Sequence, residues 1–242
     1  MSAWWTTPLV VGHRGGRGAG WPPENTLPAF EQARRQGARA IELDVRPCAG
    51  GTVVVFHDET LARMTGHRDE RRVADVRSDD LLAIDLGGAT VPTIDEVLAW
   101  ARAAGVAVNV EMKHGVSNRR AFVRATVDAV QASRADVLFS SFDPAVLAIA
   151  GVLAPSIPRA FLTEARAPAW ARILEEAARR PVVQGLNLER IAASADRVAR
   201  YRRRGLRVAA WTVNDAAEAR ELVRLGVASI ITDQPGAILA AL

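Results

Sequence analysis

Two short segments carry charge inside apolar runs: Glu42-Leu43-Asp44 and Glu111-Met112-Lys113. In an extended chain, residues two apart share a face. Glu42 and Asp44 therefore point one way, and Glu111 and Lys113 do the same on a second strand. Three carboxylates converging with one ammonium have two outcomes. They form ion pairs at the rim of the fold, or they hold a hard divalent cation, since buried carboxylates repel and are costly to desolvate. Oxygen ligands favour Mg²⁺ or Ca²⁺. His13 and His57 close apolar runs near these acids. Two imidazoles that titrate near neutral pH suit proton transfer at both ends of a displacement, although any single histidine is more often a hydrogen-bonded structural residue. Arg14 and Lys113 add positive charge where a phosphoryl group would need it. Together these residues point to hydrolysis of a phosphate ester.

Such a constellation needs strands that end at one rim. The strand candidates are Leu9–His13, Ala40–Val45, Val106–Glu111, Val137–Ser141, Arg159–Leu162, Val183–Leu188, Val208–Val213 and Ser229–Thr232. Several are near-continuous Val/Ile/Leu/Ala runs, as in parallel strands buried on both faces. Helical patterns lie between them, punctuated by a Thr93/Glu96 capping box and by Gly105, Gly205 and Gly226. This alternation predicts an α/β protein, a (β/α)8 TIM barrel, with active-site residues at the C-terminal strand ends. An open doubly wound sheet is the rival, but no G-x-G-x-x-G follows the first strand. The alternation breaks once, at about residues 47–90. A turn at Pro47–Gly51 returns the chain as a β-hairpin, and Asp58 to Gly88 reads as a small, polar, irregular insertion after the second strand. The 242 residues then form one barrel domain.

Composition narrows the partners. The net charge is +4, yet the longest basic run is Arg202–Arg204, and elsewhere arginine alternates with acids as on solvated helix faces, so no nucleic-acid partner is expected. Lys113 is the only lysine among 31 basic residues, which singles out a position where a compact ammonium is wanted. One cysteine, Cys48, excludes a disulfide scaffold or a cysteine-based metal site. No apolar run is long enough for a membrane span, and Met1–Pro8 lacks a secretory pattern, so a cytoplasmic setting without membrane insertion is expected. His67 falls in the polar insertion and is expected to be exposed. His114 is expected to point away from the site.

The motifs His13-Arg14-Gly15, Pro23–Thr26, Glu42–Val45, Val55–Asp58, Glu111–Lys113, Ser141–Asp143 and Trp211–Asn214 occur in this order, followed by Ile231–Pro235. In that order the chain resembles the glycerophosphodiester phosphodiesterases from His13 to Pro235. The resemblance implies a (β/α)8 enzyme that cleaves glycerophosphodiesters, as small-molecule substrates, to an alcohol and glycerol 3-phosphate. It implies one divalent cation, Ca²⁺ or Mg²⁺, on Glu42, Asp44 and Glu111. It implies acid/base catalysis by His13 and His57, phosphate contacts from Arg14 and Lys113, and an apolar pocket wall from Phe142 and Trp211. Glu24 and Asn25 would hold the first loop. Two alternatives stand beside this reading. One is a lysophospholipase D-like or sphingomyelinase D-like enzyme on the same barrel, with Trp4, Trp5 or Trp21 greeting an acyl chain. The other is a barrel that binds an anion without chemistry.

Overall fold

The computed structural model describes residues 3–5, 7–179 and 182–242. Its strands and helices alternate: β1 (Leu9–His13), α1 (Leu27–Arg35), β2 (Ala40–Pro47), β3 (Val53–Val55), α2 (Ser78–Leu82), α3 (Ile94–Ala104), β4 (Ala107–Met112), α4 (Arg119–Ser133), β5 (Val137–Ser141), α5 (Pro144–Leu153), β6 (Arg159–Thr163), α6 (Ala169–Ala177), β7 (Gly185–Glu189), α7 (Ala195–Arg203), β8 (Arg207–Trp211), α8 (Ala216–Leu225), β9 (Ser229–Thr232) and α9 (Pro235–Ala241). The strands pair in the order β1-β9-β8-β7-β6-β5-β4-β2, and β1 also pairs with β2, which closes an eight-stranded parallel barrel. β3 pairs antiparallel with β2 outside that ring, as the predicted hairpin.

The helices start and stop where local chemistry directs. Thr26 accepts a hydrogen bond from the Ala29 amide to open α1, and Thr93 with Glu96 forms the expected capping box of α3. Such caps contribute on the order of 1 kcal/mol each. Gly105 and Gly226 end α3 and α8 in left-handed conformation, which costs glycine little. Strand periodicity then sorts the barrel into two cores. The outward residues of β2 and β4, including Ile41, Leu43, Val108 and Val110, pack with Phe30, Leu98 and Phe122 from the helices. Leu186, Val208 and Ile230 pack against Val198, Tyr201 and Leu222 on the other side.

Inside the barrel, Leu9, Val11, Ala40, Ala107, Ala209 and Ile231 form an apolar foot closed by Trp4. Trp4 is therefore buried at the end of the barrel opposite the strand C-termini and plays no part in greeting an acyl chain. The side chain of Trp5 lies outside the described residues. Trp21 packs over Gly16, where an added Cβ would meet its ring at 2.4 Å.

The insertion departs from expectation. It is not an irregular polar loop. Cys48, Val54, Phe56, Leu61, Val73, Val76, Leu81, Leu86 and Val91 form their own buried cluster, with α2 and a single 3-10 turn at Val73–Asp75. These apolar residues follow neither a period of 2 nor one of 3.6, so they are hidden among the charges in the sequence.

Candidate active site

The first turn after β1 brings the backbone to the acids. Arg14 and Gly15 both have positive φ, 52° and 87°. Gly12 faces this turn so closely that a Cβ there would sit 2.3 Å from the Gly15 carbonyl oxygen. The tight fold aims the Arg14 amide at Glu42 Oε2, which accepts its hydrogen bond at 3.1 Å.

Strand register does the rest. His13 lies beside Glu42, and Asp44 beside Glu111. Glu42, Asp44 and Glu111 are all buried and offer carboxylate oxygens within 4.8 Å of one another, a set that could hold a metal ion. The only lysine reaches this set: Lys113 Nζ donates to Glu111 Oε1 at 2.6 Å and to Asp44 Oδ1 at 3.1 Å. Arg14 donates to Glu24 at 2.8 Å. Its Nε lies 3.1 Å from Asp44 Oδ2, a charge contact rather than an aligned hydrogen bond. Asn25, also at positive φ, donates to Asp44 Oδ2 at 2.8 Å and accepts from the Asp44 backbone amide, so it grips that residue at both side chain and main chain.

Charge is distributed unevenly over the three acids. Burial pushes Asp44 up, but Lys113, Arg14 and His57 outweigh it and hold the carboxyl below its usual range. Burial, with the charges of Asp44 and Glu111, drives Glu42 well above its usual range. Burial also raises Glu111 despite Lys113. Glu42 Oε1 is buried without a hydrogen-bond partner. An unpartnered oxygen, a carboxylate set with too little positive charge, and donors that are all oxygen are what a hard cation would satisfy. The residues present therefore fit such an ion.

Both histidines are anchored by carboxylates. His13 Nδ1 pairs with Asp233 Oδ1 at 2.7 Å, and its Nε2 lies 3.9 Å from Glu42 Oε2. His57 Nδ1 pairs with Asp58 Oδ1 at 2.6 Å. A carboxylate at Nδ1 fixes the proton there and leaves Nε2 as the basic nitrogen. Burial lowers the pKa of His13 although Asp233 opposes it, and burial lowers His57 although Asp44 opposes it. Asp233 is itself bound by Arg17 and Asn214.

Both histidines, Arg14, Lys113, Glu42 and Glu111 open on one cavity of about 660 Å³, with their anchoring carboxylates behind them. His13, Arg14, Glu42, Arg46, His57, Glu111 and Lys113 line its charged side. Phe142, Phe161, Leu162 and Trp211 line the other, and the rings of Phe142 and Trp211 meet edge to face at 5.7 Å. All nine residues singled out in the sequence converge here except that Asp44 sits just behind the wall, under Lys113 and Arg14. Lys113 and Arg14 turn their head groups mainly onto carboxylates. His114, expected to point away, instead lines the cavity edge-on to Phe142, 6.4 Å between ring centres. β4 ends at Met112, so strand alternation no longer governs residue 114. His67 is exposed beside Glu70, as expected. Asp233 adds a functional residue that the motif Ile231–Pro235 does not by itself assign; its signal in the sequence is an acid directly after the last strand.

Residues 13–237 match the model of the glycerophosphoryl diester phosphodiesterase family. The chain belongs to this family. A glycerophosphodiester phosphodiesterase from Caldanaerobacter subterraneus subsp. tengcongensis is 28% identical, with 96% of each chain covered. An Oleispira antarctica phosphodiesterase, solved in complex with the product sn-glycerol-3-phosphate, superposes with a TM-score of 0.86 at 28% identity, covering 97% of this chain and 96% of that one. The glycerophosphodiester phosphodiesterase from Thermotoga maritima gives a TM-score of 0.80 at 26% identity, over 97% and 98% of the two chains. As in any member of a barrel family, the strand C-termini carry the cavity, and no helix among the described residues is long and apolar enough to cross a membrane.

Proposed function

We propose that this glycerophosphodiester phosphodiesterase hydrolyses its substrate to an alcohol and sn-glycerol 3-phosphate with His13 and His57 as the proton-transfer pair. The supporting observation is that two carboxylate-anchored imidazoles share one cavity with a buried, under-neutralised acid triad. Water, or the substrate's own glycerol hydroxyl, attacks phosphorus and gives its proton to one imidazole Nε2. The bond from phosphorus to the leaving oxygen breaks, and the other ring, entering as the imidazolium, supplies that oxygen with its Nε2 proton. Where the glycerol hydroxyl attacks, the product of this step is a cyclic phosphate, and a water opens it in a second displacement with the two imidazole roles reversed. Such proton transfer is worth about 10²–10⁴ in rate. Asp233 and Asp58 keep the rings oriented and the Nδ1 proton in place. Arg14 and Lys113 bring positive charge to the phosphoryl side of the cavity, and Phe142 and Trp211 form its apolar wall.

Glu42, Asp44 and Glu111 would hold one divalent cation, Ca²⁺ or Mg²⁺. When bound, the cation supplies charge neutralisation to the phosphoryl oxygens as a Lewis acid. Asn25 serves this set by presenting Asp44 in one orientation. The single cysteine, Cys48, is a buried free thiol and suits a reducing, cytoplasmic setting. The test is release of glycerol 3-phosphate from a panel of glycerophosphodiesters, with and without EDTA and with Ca²⁺ or Mg²⁺ restored. Release that stops with EDTA and returns with the ion is expected; release indifferent to EDTA would end the cation assignment.

A further inference from the structure

The cavity has two unlike sides, and the apolar one continues past the mouth. α6 follows β6 and contributes Trp170 and Ala171 to the cavity wall, after Ala167 and Pro168. α6 buries only a narrow face, Ala171 and Glu175. Trp170 is 53% exposed although it lines the cavity, and Ile173 and Leu174, three and four residues on, are 68% and 37% exposed. Residues at this spacing form one stripe on a helix. The next connection, after β7, exposes Ile191 by 64%. The two connections are tied together, because the Ala165 amide donates to Glu189 Oε2 at 2.8 Å.

Isolated exposed apolar side chains are ordinary on a soluble surface, but clustered ones are not. Of the eight large hydrophobic residues exposed among those described, four fall on these two neighbouring connections. The histidines, Arg14, Lys113 and the acid triad come from the β1, β2–β3 and β4 ends of the barrel, across the mouth from the β5, β6 and β8 ends that carry the apolar residues, where Arg119, Asp143 and Glu164 also reach the lining. A diester spanning the cavity therefore has one end that needs charge and one end that meets hydrocarbon.

We infer that the apolar side, extended by Trp170, Ile173 and Leu174, receives an aliphatic chain on the leaving-alcohol end of the diester. A small polar alcohol would leave this wall wet; a chain covers it, and hydrocarbon is the only part of such a substrate that gains by doing so. The inference rests on the phosphodiesterase reading above and names the class of alcohol that reading leaves open.

The test uses ethyl, butyl and octyl esters of sn-glycerol 3-phosphate, all below their critical micelle concentrations, with glycerol 3-phosphate release as the readout. A fully buried methylene is worth about fourfold, so a chain lying half covered on this wall should raise kcat/KM by about twofold per methylene. Trp170→Ser, and separately the triple change with Ile173→Ser and Leu174→Ser, should lower the octyl-to-ethyl ratio by about tenfold or more. Val152→Ser, an exposed apolar residue at the far end of α5, should leave the ratio unchanged. Having both a single and a triple variant guards against misfolding. Equal kcat/KM for the three esters, or a chain-length slope that survives both variants, overturns the inference while the phosphodiesterase reading stands. A preference for octyl that emerges only on adding phosphatidylcholine vesicles also overturns it, because the stripe would then serve a lipid surface. Failure of every ester to release glycerol 3-phosphate ends the underlying reading, and this one with it.

Discussion

The two sides of the cavity are built on opposite plans. On the charged side almost every polar group is held by another: Asn25 and Lys113 on Asp44, Asp233 on His13, Asp58 on His57, Glu24 on Arg14. Side chains locked in this way sit close to one geometry, as proton transfer and charge stabilisation require. On the apolar side Phe142 and Trp211 meet edge to face and Phe161 adds a third ring, and the one directional bond is from the Trp211 indole N–H to the Asn187 carbonyl at 3.1 Å. Dispersion and burial tolerate shifts that hydrogen bonds do not. Under the proposed function, reaction chemistry belongs to the networked side, and the choice of alcohol can vary on the other without disturbing it.

That contrast fails if damage to the two sides costs the same. The largest effect is expected from His13→Ala or His57→Ala, each lowering kcat by about a hundredfold or more. Circular dichroism should stay that of the folded parent, with a lower thermal midpoint for His13→Ala because Asp233 loses its partner, and near-normal turnover in either variant would remove that histidine from the proton-transfer pair. Next comes Glu42→Gln. The parent should gain thermal stability as Ca²⁺ or Mg²⁺ is added, because ligand binding to the folded state stabilises it by mass action. The variant should lose that gain and the recovery of activity after EDTA, and a retained shift would put the ion elsewhere.

Asp233→Asn tests the networked side through pH. Burial pushes the Asp233 carboxyl up, but His13 and Arg17 outweigh it and hold it well below its ordinary value. A depressed carboxyl contributes stability that is present above the unfolded-state pKa of about 3.9 and is lost as pH falls through the lower folded value. The variant should lack that contribution at neutral pH, and its stability should decline less steeply than the parent's between about pH 4 and pH 2. Equal slopes in urea titrations across that window would mean Asp233 is not held as described. The smallest effect is expected from Trp211→Ala, which removes wall area and one hydrogen bond to the Asn187 carbonyl but no partner of the charged groups. KM should rise by about threefold to tenfold with kcat within about twofold of the parent. A collapse of kcat instead would place Trp211 with the networked side.

Much of the charged side was legible because it depends on short-range geometry. Glu42 and Asp44 share a face because the pleat of β2 has a period of two. Lys113 lies one residue past β4 and still reaches Glu111, because the extended course carries on for that one residue. His13 and His57 stand at the ends of apolar runs, where a parallel barrel puts its chemistry. The insertion was less legible. Its hairpin was announced by the Pro47–Gly51 turn, but its buried cluster has no period, and charged neighbours masked it. His114 was misplaced because alternation was extended beyond the last residue of β4.

The amino-acid sequence on its own determined the alternation of strands and helices, the caps that bound α1, α3 and α8, and the pairing of acids on β2 and β4. Each is set within a few residues by backbone dihedrals and local hydrogen bonds. Only the tertiary structure decided that Asp233 backs His13 from 220 positions away, that Asn25 clamps Asp44, and that Trp4 closes the foot of the barrel. Those contacts exist because β1 meets both β2 and β9 when the sheet closes, and ring closure is a property of eight strands together that no short segment encodes.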